Sequence, residues 1–303
     1  MRTAFIALLG LTACASAGAQ VAPAEDAVPP AYLEKDLADI VDLIQGRWDN
    51  DRHGFFAEAA GMDGEGIADR QHLVIRPAGE DAPNTVIASR QMADGEPITI
   101  RHAFQIGSAG LEQVSSLVTK DGGSAPAPCT IDWARSGGGF AGTARVKDCT
   151  WMFGPARQAG ASPANLRLSQ DDFWVTTSSA EARFRRARPF ECWVAVARGV
   201  EHGEAGEDAD WFFQRGVRLH DQYGEAIVET DEDPARTVHL RLRNVEWPYG
   251  TNRPSLTLYI HDRGADRATS YAWTEYDADR LGINLRWIQA SCTHEPDLVF
   301  EDF

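Results

Sequence analysis

The segment from Cys129 to Cys149 has the pattern of a β-hairpin and constrains the fold more than any other part of the chain. Ile131 and Trp133 alternate with polar neighbours, which is typical of a strand with one buried face. Residues 136–139 contain three glycines, which accept the positive φ angles of a tight turn before the second strand. The two cysteines lie at the far ends of the hairpin arms, where a disulfide could join adjacent strands.

Short runs with a strand pattern cover most of the chain on both sides of this hairpin. Clusters of Gly, Pro, Asp or Ser separate them, and no helical pattern lies between them. This arrangement predicts an all-β protein built as a barrel or a sandwich. The predicted strands are 72–75, 85–89, 98–106, 112–118, 129–133, 140–146, 164–168, 173–176, 182–186 and 190–197, followed later by 238–245, 256–261, 271–274 and 283–288.

One helix is predicted, directly before the first strand. The apolar residues of 33–44 fall on one face of a helix. The residues that follow, Gly46-Arg47-Trp48, are similar to the opening signature of lipocalin-like (calycin) barrels. In those barrels the Trp packs under the closed end against an Arg of the last strand, which Arg185 or Arg186 would supply here. The resemblance implies a calycin-like antiparallel β-barrel with a short N-terminal helix.

An acidic, Gly-containing stretch at residues 198–210 interrupts the strand pattern. Because this stretch has little to bury, we predict a linker there. The linker would separate a barrel at residues 33–197 from an antiparallel β region at residues 211–303. That region is either an extension of the barrel or a small second β-domain.

Residues 1–19 have the features of an export signal, with Arg2 before an apolar segment too short to span a bilayer. Two cleavage sites compete. In the first, residues 11–14 are a bacterial lipoprotein box and Cys14 is lipidated; in the second, signal peptidase cleaves after Ala19. We favour a lipoprotein on the periplasmic side of the outer membrane over a soluble periplasmic or secreted protein. Residues 20–32, rich in Ala and Pro, predict a flexible tether.

The cysteine count agrees with export. Without Cys14 an even number remains, which is typical of disulfides in an exported protein. Proximity favours a Cys129–Cys149 bridge, which leaves Cys192 to pair with Cys292. A zinc site is the alternative, and it is disfavoured because the chain has no C-x-x-C motif and no closely spaced His pair.

The formal net charge of −16 restricts the classes of partner. An acidic surface repels phosphate backbones, so we predict no nucleic-acid binding, and membrane contact only through the N-terminal lipid anchor. No G-x-S-x-G, H-E-x-x-H or phosphate-loop motif occurs, and no metal site is predicted. We expect His53 and His102, isolated histidines near the motifs above, to be solvent-exposed rather than catalytic.

Several motifs follow one another between about residues 37 and 188: Gly46-x-Trp48, Pro97 to Arg101, Cys129-x-Ile131, Gly139-Phe140-x-Gly142-Thr143, Asp148-Cys149, Gly154-x-Ala156 and Trp174. Their order and spacing resemble those of the phycobiliprotein chromophore lyases of the CpcT/CpeT type. The two-cysteine hairpin is the most specific part of this resemblance. In that family, a calycin-like barrel holds an open-chain tetrapyrrole, called a bilin, and helps to join it to a cysteine of an acceptor protein.

The resemblance also implies ligand-binding residues. Family members have Pro-Tyr-Arg-Gln-Arg where residues 97–101 read Pro-Ile-Thr-Ile-Arg, so Arg101 is the candidate to bind a bilin propionate. The Glu-Gln pair of the preceding strand corresponds to Arg90-Gln91, so a base replaces the family's acid. We therefore predict that Arg90 and Gln91 contact an anionic ligand. No catalytic residue is predicted, and lyase activity rests on the resemblance alone.

The predicted function is that of a CpcT/CpeT-like protein that binds a bilin or a similar amphipathic anionic ligand in its barrel and assists its attachment to an acceptor protein. The bilin would be a bound ligand, and no other cofactor is predicted. Two alternatives stay open: a non-enzymatic, lipocalin-like envelope carrier, and a structural surface lipoprotein. An arginine where an acid is expected favours the carrier, whereas a barrel filled by its own side chains would favour the structural protein.

Overall fold

A closed β-barrel is followed along the chain by two stacked β-sheets. A computed structural model describes residues 29–61, 67, 69–92, 96–119, 126–145, 149, 152, 163–177, 180–199, 208–247 and 250–299. The predicted all-β fold, with a barrel and additional C-terminal strands, is confirmed. The predicted export signal, Cys14 and most of the predicted tether lie outside the described residues.

The barrel has ten antiparallel strands, each paired with its neighbours in the sequence, and β1 closes the ring by pairing with β10. Helix α1 (Pro30–Ile44) precedes β1, so residues 30–32 belong to this helix and not to a tether. Helix α2 (Asp51–Ala59) follows β1 and is absent from the sequence prediction, because it buries only two side chains and has little apolar periodicity. The strands are β1 (Gly46–Asp49), β2 (Gln71–Pro77), β3 (Thr85–Met92), β4 (Ile98–Gly107), β5 (Gly110–Val118), β6 (Cys129–Ser136), β7 (Gly139–Ala144), β8 (Pro163–Leu168), β9 (Asp172–Thr177) and β10 (Glu181–Arg186).

Trp48 on β1 and Arg186 on β10 close the ring of strands beside the C-terminal end of α1. Trp48 is fully buried, and its indole Nε1 donates a hydrogen bond of 2.8 Å to the carbonyl oxygen of Ile44. The guanidinium of Arg186 lies 4.2 Å from the centre of the Trp48 ring, a cation–π contact. Arg186 also donates to the carbonyl oxygens of Leu43 and Gln45. The predicted contact between the first-strand Trp and an Arg of the last barrel strand is confirmed.

Six aromatic side chains belong to the hydrophobic core of the barrel. Trp133 on β6 packs against Gly142 on β7, where a Cβ atom would lie 2.9 Å from the indole, so this position requires glycine. Ile40 and Ile44 of α1 belong to the same core, which places the apolar face of the helix against the barrel. The buried aromatic residues of this core are Trp48, Phe104, Trp133, Phe140, Phe173 and Phe184.

The C-terminal part is a sandwich of two four-stranded antiparallel sheets. One sheet has the order β12-β11-β18-β17 and the other β13-β14-β15-β16, and apolar residues of both form one core. The predicted strand at 283–288 spans the turn between β17 and β18. The strands are β11 (Pro189–Ala197), β12 (Trp211–His220), β13 (Gln222–Glu229), β14 (Thr237–Val245), β15 (Ser255–Asp262), β16 (Ser270–Glu275), β17 (Arg280–Asn284) and β18 (Ile288–His294).

The barrel ends earlier than the sequence suggests. Strand β11, which the sequence analysis assigns to the barrel, pairs with β12 and β18 of the sandwich. Strand β11 is a nearly continuous run of apolar residues, which is typical of a buried strand in a barrel and in a sandwich alike. The composition of β11 therefore does not indicate which strands it pairs with. The acidic stretch at 198–210 connects β11 to its antiparallel neighbour β12, and the amide of Arg198 donates to the carbonyl oxygen of Asp210 at 2.9 Å. That stretch therefore lies between two strands that pair in one sheet.

Both predicted disulfides are present. Cys129, at the start of β6, bonds to Cys149, 20 positions later in the sequence. Cys192 on β11 bonds to Cys292 on β18, 100 positions later, and the two residues face each other in the strand register. One bond therefore constrains the barrel and the other the sandwich, and both indicate an oxidising compartment. Within the described ranges, no helix is long and apolar enough to cross a membrane.

Replacing Arg186 with Met tests the closure of the barrel. This change removes the cation–π contact and leaves carbonyl oxygens at the end of α1 without their donor, so we expect the free energy of unfolding to fall by about 3 kcal/mol. Urea denaturation followed by tryptophan fluorescence measures this loss. Arg183→Met is the matched control on the same strand, since Arg183 is exposed and stacks on Trp174. An equal loss in both variants would contradict a special role for Arg186.

The two disulfides are expected to differ in their contribution to stability. In the chain-entropy account, a bond that closes a longer loop removes more freedom from the unfolded chain. The double variant Cys192→Ala/Cys292→Ala should therefore lose about 4.7 kcal/mol, and Cys129→Ala/Cys149→Ala about 3 kcal/mol. Guanidinium denaturation of the two variants beside the wild type gives both values. The reverse order would show that effects in the folded state outweigh loop entropy.

Candidate ligand site in the barrel interior

The alternation of side chains along β3 and β4 decides which predicted ligand residues face the barrel interior. Val86 and Ala88 on β3 belong to the barrel core, and Arg90 continues this series with only 5% of its surface exposed. Gln91 therefore points to the outside, where its side-chain amide donates to the carbonyl oxygen of Met92 at 2.9 Å. Arg101 is exposed between two buried neighbours on β4, so it also points away from the interior. Of the three predicted residues, Arg90 alone faces the core.

Arg90 brings a cation into a mostly apolar interior. Its Nη1 donates a hydrogen bond of 2.6 Å to the carbonyl oxygen of Met152. Burial lowers the pKa of its guanidinium to about 10, so the group remains charged at neutral pH. Burying a charge is costly unless that charge is used in a hydrogen bond or an ion pair. A buried arginine in a barrel therefore marks a position where an anionic group would be stabilised.

Gln71 adds a second polar group on the same inner wall. It is fully buried and continues the inward series of Leu73 and Ile75 on β2. In the strand register Leu73 faces Arg90, and Gln71 faces Met92, so Gln71 and Arg90 are diagonal neighbours on one face. Neither the oxygen nor the nitrogen of the Gln71 amide has a hydrogen-bond partner among the described residues. Such an orphaned amide is costly and offers both a donor and an acceptor to a ligand.

A separate polar network crosses β4, β5 and β6. His102 Nδ1 lies 2.8 Å from the hydroxyl of Ser115 and 2.9 Å from the amide nitrogen of Gln113. The indole of Trp133 donates to the amide oxygen of Gln113 at 2.9 Å. The expectation that His102 is solvent-exposed is wrong, because Ile100, His102 and Phe104 share the inner face of the strand. Burial lowers the pKa of His102 to about 4, so its imidazole is neutral at pH 7.

The ionisable groups that face the barrel interior are few among the described residues. The described interior residues of the barrel include no carboxylate, and the neutral His102 is a poor general acid at neutral pH. Three or more His, Cys, Asp or Glu side chains suitably placed for a metal ion do not occur together in the described residues. The groups that the described interior does offer are a buried guanidinium and a buried amide, both of which can donate hydrogen bonds to an anionic group.

Of the polar side chains that face the barrel interior, the sequence analysis proposes Arg90 as a ligand contact, expects His102 to be exposed, and does not mention Gln71, Gln113 or Ser115. The available signal was the two-residue period, which places His102 in phase with Ile100, and Gln71 in phase with Leu73. The predicted motif residues Asp148, Gly154 and Ala156 lie outside the described residues.

No family model, curated protein or solved structure matches the chain.

His102 should make the stability of the protein depend on pH. An ordinary histidine has a pKa of 6.5, whereas the pKa of His102 in the folded protein is about 4. Between these two pH values, His102 is therefore protonated in the unfolded chain and neutral in the folded chain. The associated stability is present above pH 6.5 and is lost as the pH falls to 4, by about 3 kcal/mol in total. Chemical denaturation across this range should give a shallower decline for His102→Gln than for the wild type. Parallel declines would contradict a buried neutral imidazole.

Proposed function

We propose that the barrel binds the anionic group of a small amphipathic ligand at Arg90 and acts as a carrier. The main observation in support of this proposal is the position of two buried polar residues on the inner wall of the closed barrel. The buried Arg90 lies beside Gln71, whose buried side-chain amide has no hydrogen-bond partner among the described residues. A guanidinium makes charge-assisted and often bidentate hydrogen bonds with a carboxylate, and Gln71 can donate a further one. Apolar neighbours such as Ala88 and Ile100 suit the hydrocarbon part of such a molecule.

A bilin or another tetrapyrrole is the first ligand class to test, because it combines a planar apolar body with two propionates. This choice follows the resemblance to the CpcT/CpeT type. The family's acid is replaced by Arg90, and the described interior contains no carboxylate. Both observations support binding without formation of a bond to an acceptor cysteine. They favour a carrier over a lyase.

An envelope location fits this proposal. The two disulfides indicate an oxidising compartment, and the N-terminal residues have the pattern of an export signal. We propose lipidation at Cys14 as the anchor, with cleavage after Ala19 as the alternative that yields a soluble protein. A carrier held at a membrane surface could deliver or sequester amphipathic molecules there.

A visible-absorbance titration of the disulfide-bonded protein with biliverdin tests the binding proposal. We expect a saturable, shifted absorbance band for the wild type. Arg90→Met should weaken the affinity by about tenfold or more, since it removes a charge-assisted bond in a desolvated site. Arg101→Met is the matched control, because it removes the same charge from the outer face of the neighbouring strand.

Circular dichroism of each variant should confirm that the barrel remains folded, and Arg90→Lys should retain part of the affinity if charge is what matters. Unchanged affinity in folded Arg90→Met, or a loss confined to Arg101→Met, would refute a site at Arg90. No spectral change with biliverdin, a phycobilin or haem would remove tetrapyrroles from the ligand classes.

A further inference from the structure

The sandwich sheet formed by β13 to β16 carries exposed aromatic side chains on its outer face. In the described part of the chain, β16 is an edge strand of this sheet, and its side chains alternate between half-buried and exposed. Ala272 packs against the sandwich core, so Tyr271 and Trp273 point away from it. Tyr271 is 63% exposed and Trp273 is 67% exposed. Both rings are therefore presented to solvent on one side of one strand, about 7 Å apart along its backbone.

A row of side chains continues this surface across the sheet. In the strand register Tyr271 is opposite Tyr259, Tyr259 is opposite Arg241, and Arg241 is opposite Glu225. The rings of Tyr259 and Tyr271 are neighbours, with their centres 6.2 Å apart. Since adjacent strands lie about 4.8 Å apart, this row spans roughly 14 Å. We call these four residues, together with Trp273, the aromatic face.

Polar groups at one end of the aromatic face can bind hydroxyl groups. Arg241 donates a hydrogen bond of 3.2 Å to Glu225, and His239 Nδ1 lies 3.1 Å from the same carboxylate. All three side chains are partly exposed. A guanidinium beside a carboxylate offers donors and acceptors to a ligand that carries neighbouring hydroxyls. Because the charges of Arg241 and Glu225 offset each other, this end of the face suits an uncharged ligand.

Helix α2 of the barrel covers the adjoining part of the same sheet face. The guanidinium of Arg243 lies 4.0 Å from the ring centre of Phe55 on α2 and 3.9 Å from that of Tyr223 on β13. In the strand register Arg243 is opposite Thr257, and Thr257 is opposite Trp273. The covered part of the face therefore ends one strand away from Trp273, and β15 and β16 keep their aromatic side chains open to solvent.

The exposed area favours a small ligand over a protein partner. A Tyr or Trp side chain has about 150–250 Å² of surface, so two that are about two-thirds exposed present on the order of 250 Å². A stable protein interface buries about 800 Å² on each partner. Natural edge strands usually carry charged side chains, because exposed apolar ones promote association. Two open rings on an edge strand therefore favour a specific ligand with a small contact area.

We propose that the aromatic face binds a neutral carbohydrate made of linked pyranose rings. The C–H bonds on one side of a pyranose pack against the plane of an aromatic ring, while its hydroxyls need hydrogen-bond partners. Tyr271 and Trp273 supply the stacking planes, and Arg241 and Glu225 supply the hydrogen bonds. An acyl chain would leave this polar pair unused. The inference does not depend on the proposed function, because the aromatic face belongs to the sandwich and lies outside the barrel.

Isothermal titration calorimetry of the disulfide-bonded protein with cellotetraose, maltotetraose and chitotetraose tests this proposal. We expect saturable binding of at least one of these sugars, and the order of their affinities shows which linkage and which ring substituent suit the face. Trp273→Ala and Tyr271→Ala should each weaken binding by about tenfold, because each removes a stacking plane. Tyr32→Ala is the matched control: Tyr32 is 64% exposed, much as Tyr271 is, but it lies on helix α1.

All three side chains are exposed, so the variants are expected to fold, and circular dichroism checks this. Affinity in Tyr32→Ala should stay within about twofold of the wild type. The proposal is overturned by the absence of saturable heat with all three sugars up to about 10 mM, a concentration that reveals even weak sites. Equal weakening in Tyr32→Ala and Tyr271→Ala would overturn it as well. So would a wild-type dimer in sedimentation velocity that Trp273→Ala converts to a monomer, because a second copy of the chain would then cover the face.

Discussion

The barrel depends on the contact between Arg186 and Trp48, because the strand pair that closes the ring is very short. Strand β1 has four residues and pairs with β10 at only two positions, Trp48 with Arg186 and Asp49 with Arg185. So short a ladder contributes few backbone hydrogen bonds. The cation–π contact, together with the bonds from Arg186 to carbonyl oxygens at the end of α1, ties the helix, the first strand and the last strand together. Once this ring is closed, the register of every other strand is restricted.

The sequence pattern is sufficient to predict most of the strands, and its two-residue period also indicates which side chains face the barrel interior. Ile98, Ile100 and Phe104 form one apolar series on β4, which already places Arg101 on the other face. Adjacent residues such as Arg90 and Gln91 cannot both point into a barrel from one regular strand. The same period places His102 on the buried face of β4 and Arg101 on the exposed face, as the structure has them.

Other features depend on contacts between distant parts of the chain, and local pattern does not reveal them. Strand β11 is apolar enough for a barrel or a sandwich, and its assignment depends on pairing with β18, about 100 positions later. Asp49 would be an improbable buried residue in isolation. The buried charge of Asp49 is stabilised by hydrogen bonds from Arg70 and His72, which lie more than twenty positions later in the sequence. These partners can be assigned only when the pairing of β1 with β2 is known.

Different polar side chains lie on the two faces of the strand pair β2 and β3. On the inner face of β2 and β3, Leu73 is opposite Arg90, whereas on the outer face His72 is opposite Gln91. A shift of either strand by one residue would exchange the two faces, putting His72 into the apolar core and Arg90 onto the outer face. Both exchanges are costly, since the first buries a polar ring and the second exposes the apolar residues in phase with Arg90. The register that closes the barrel is therefore also what keeps Arg90 on the inner wall and His72 on the outer face.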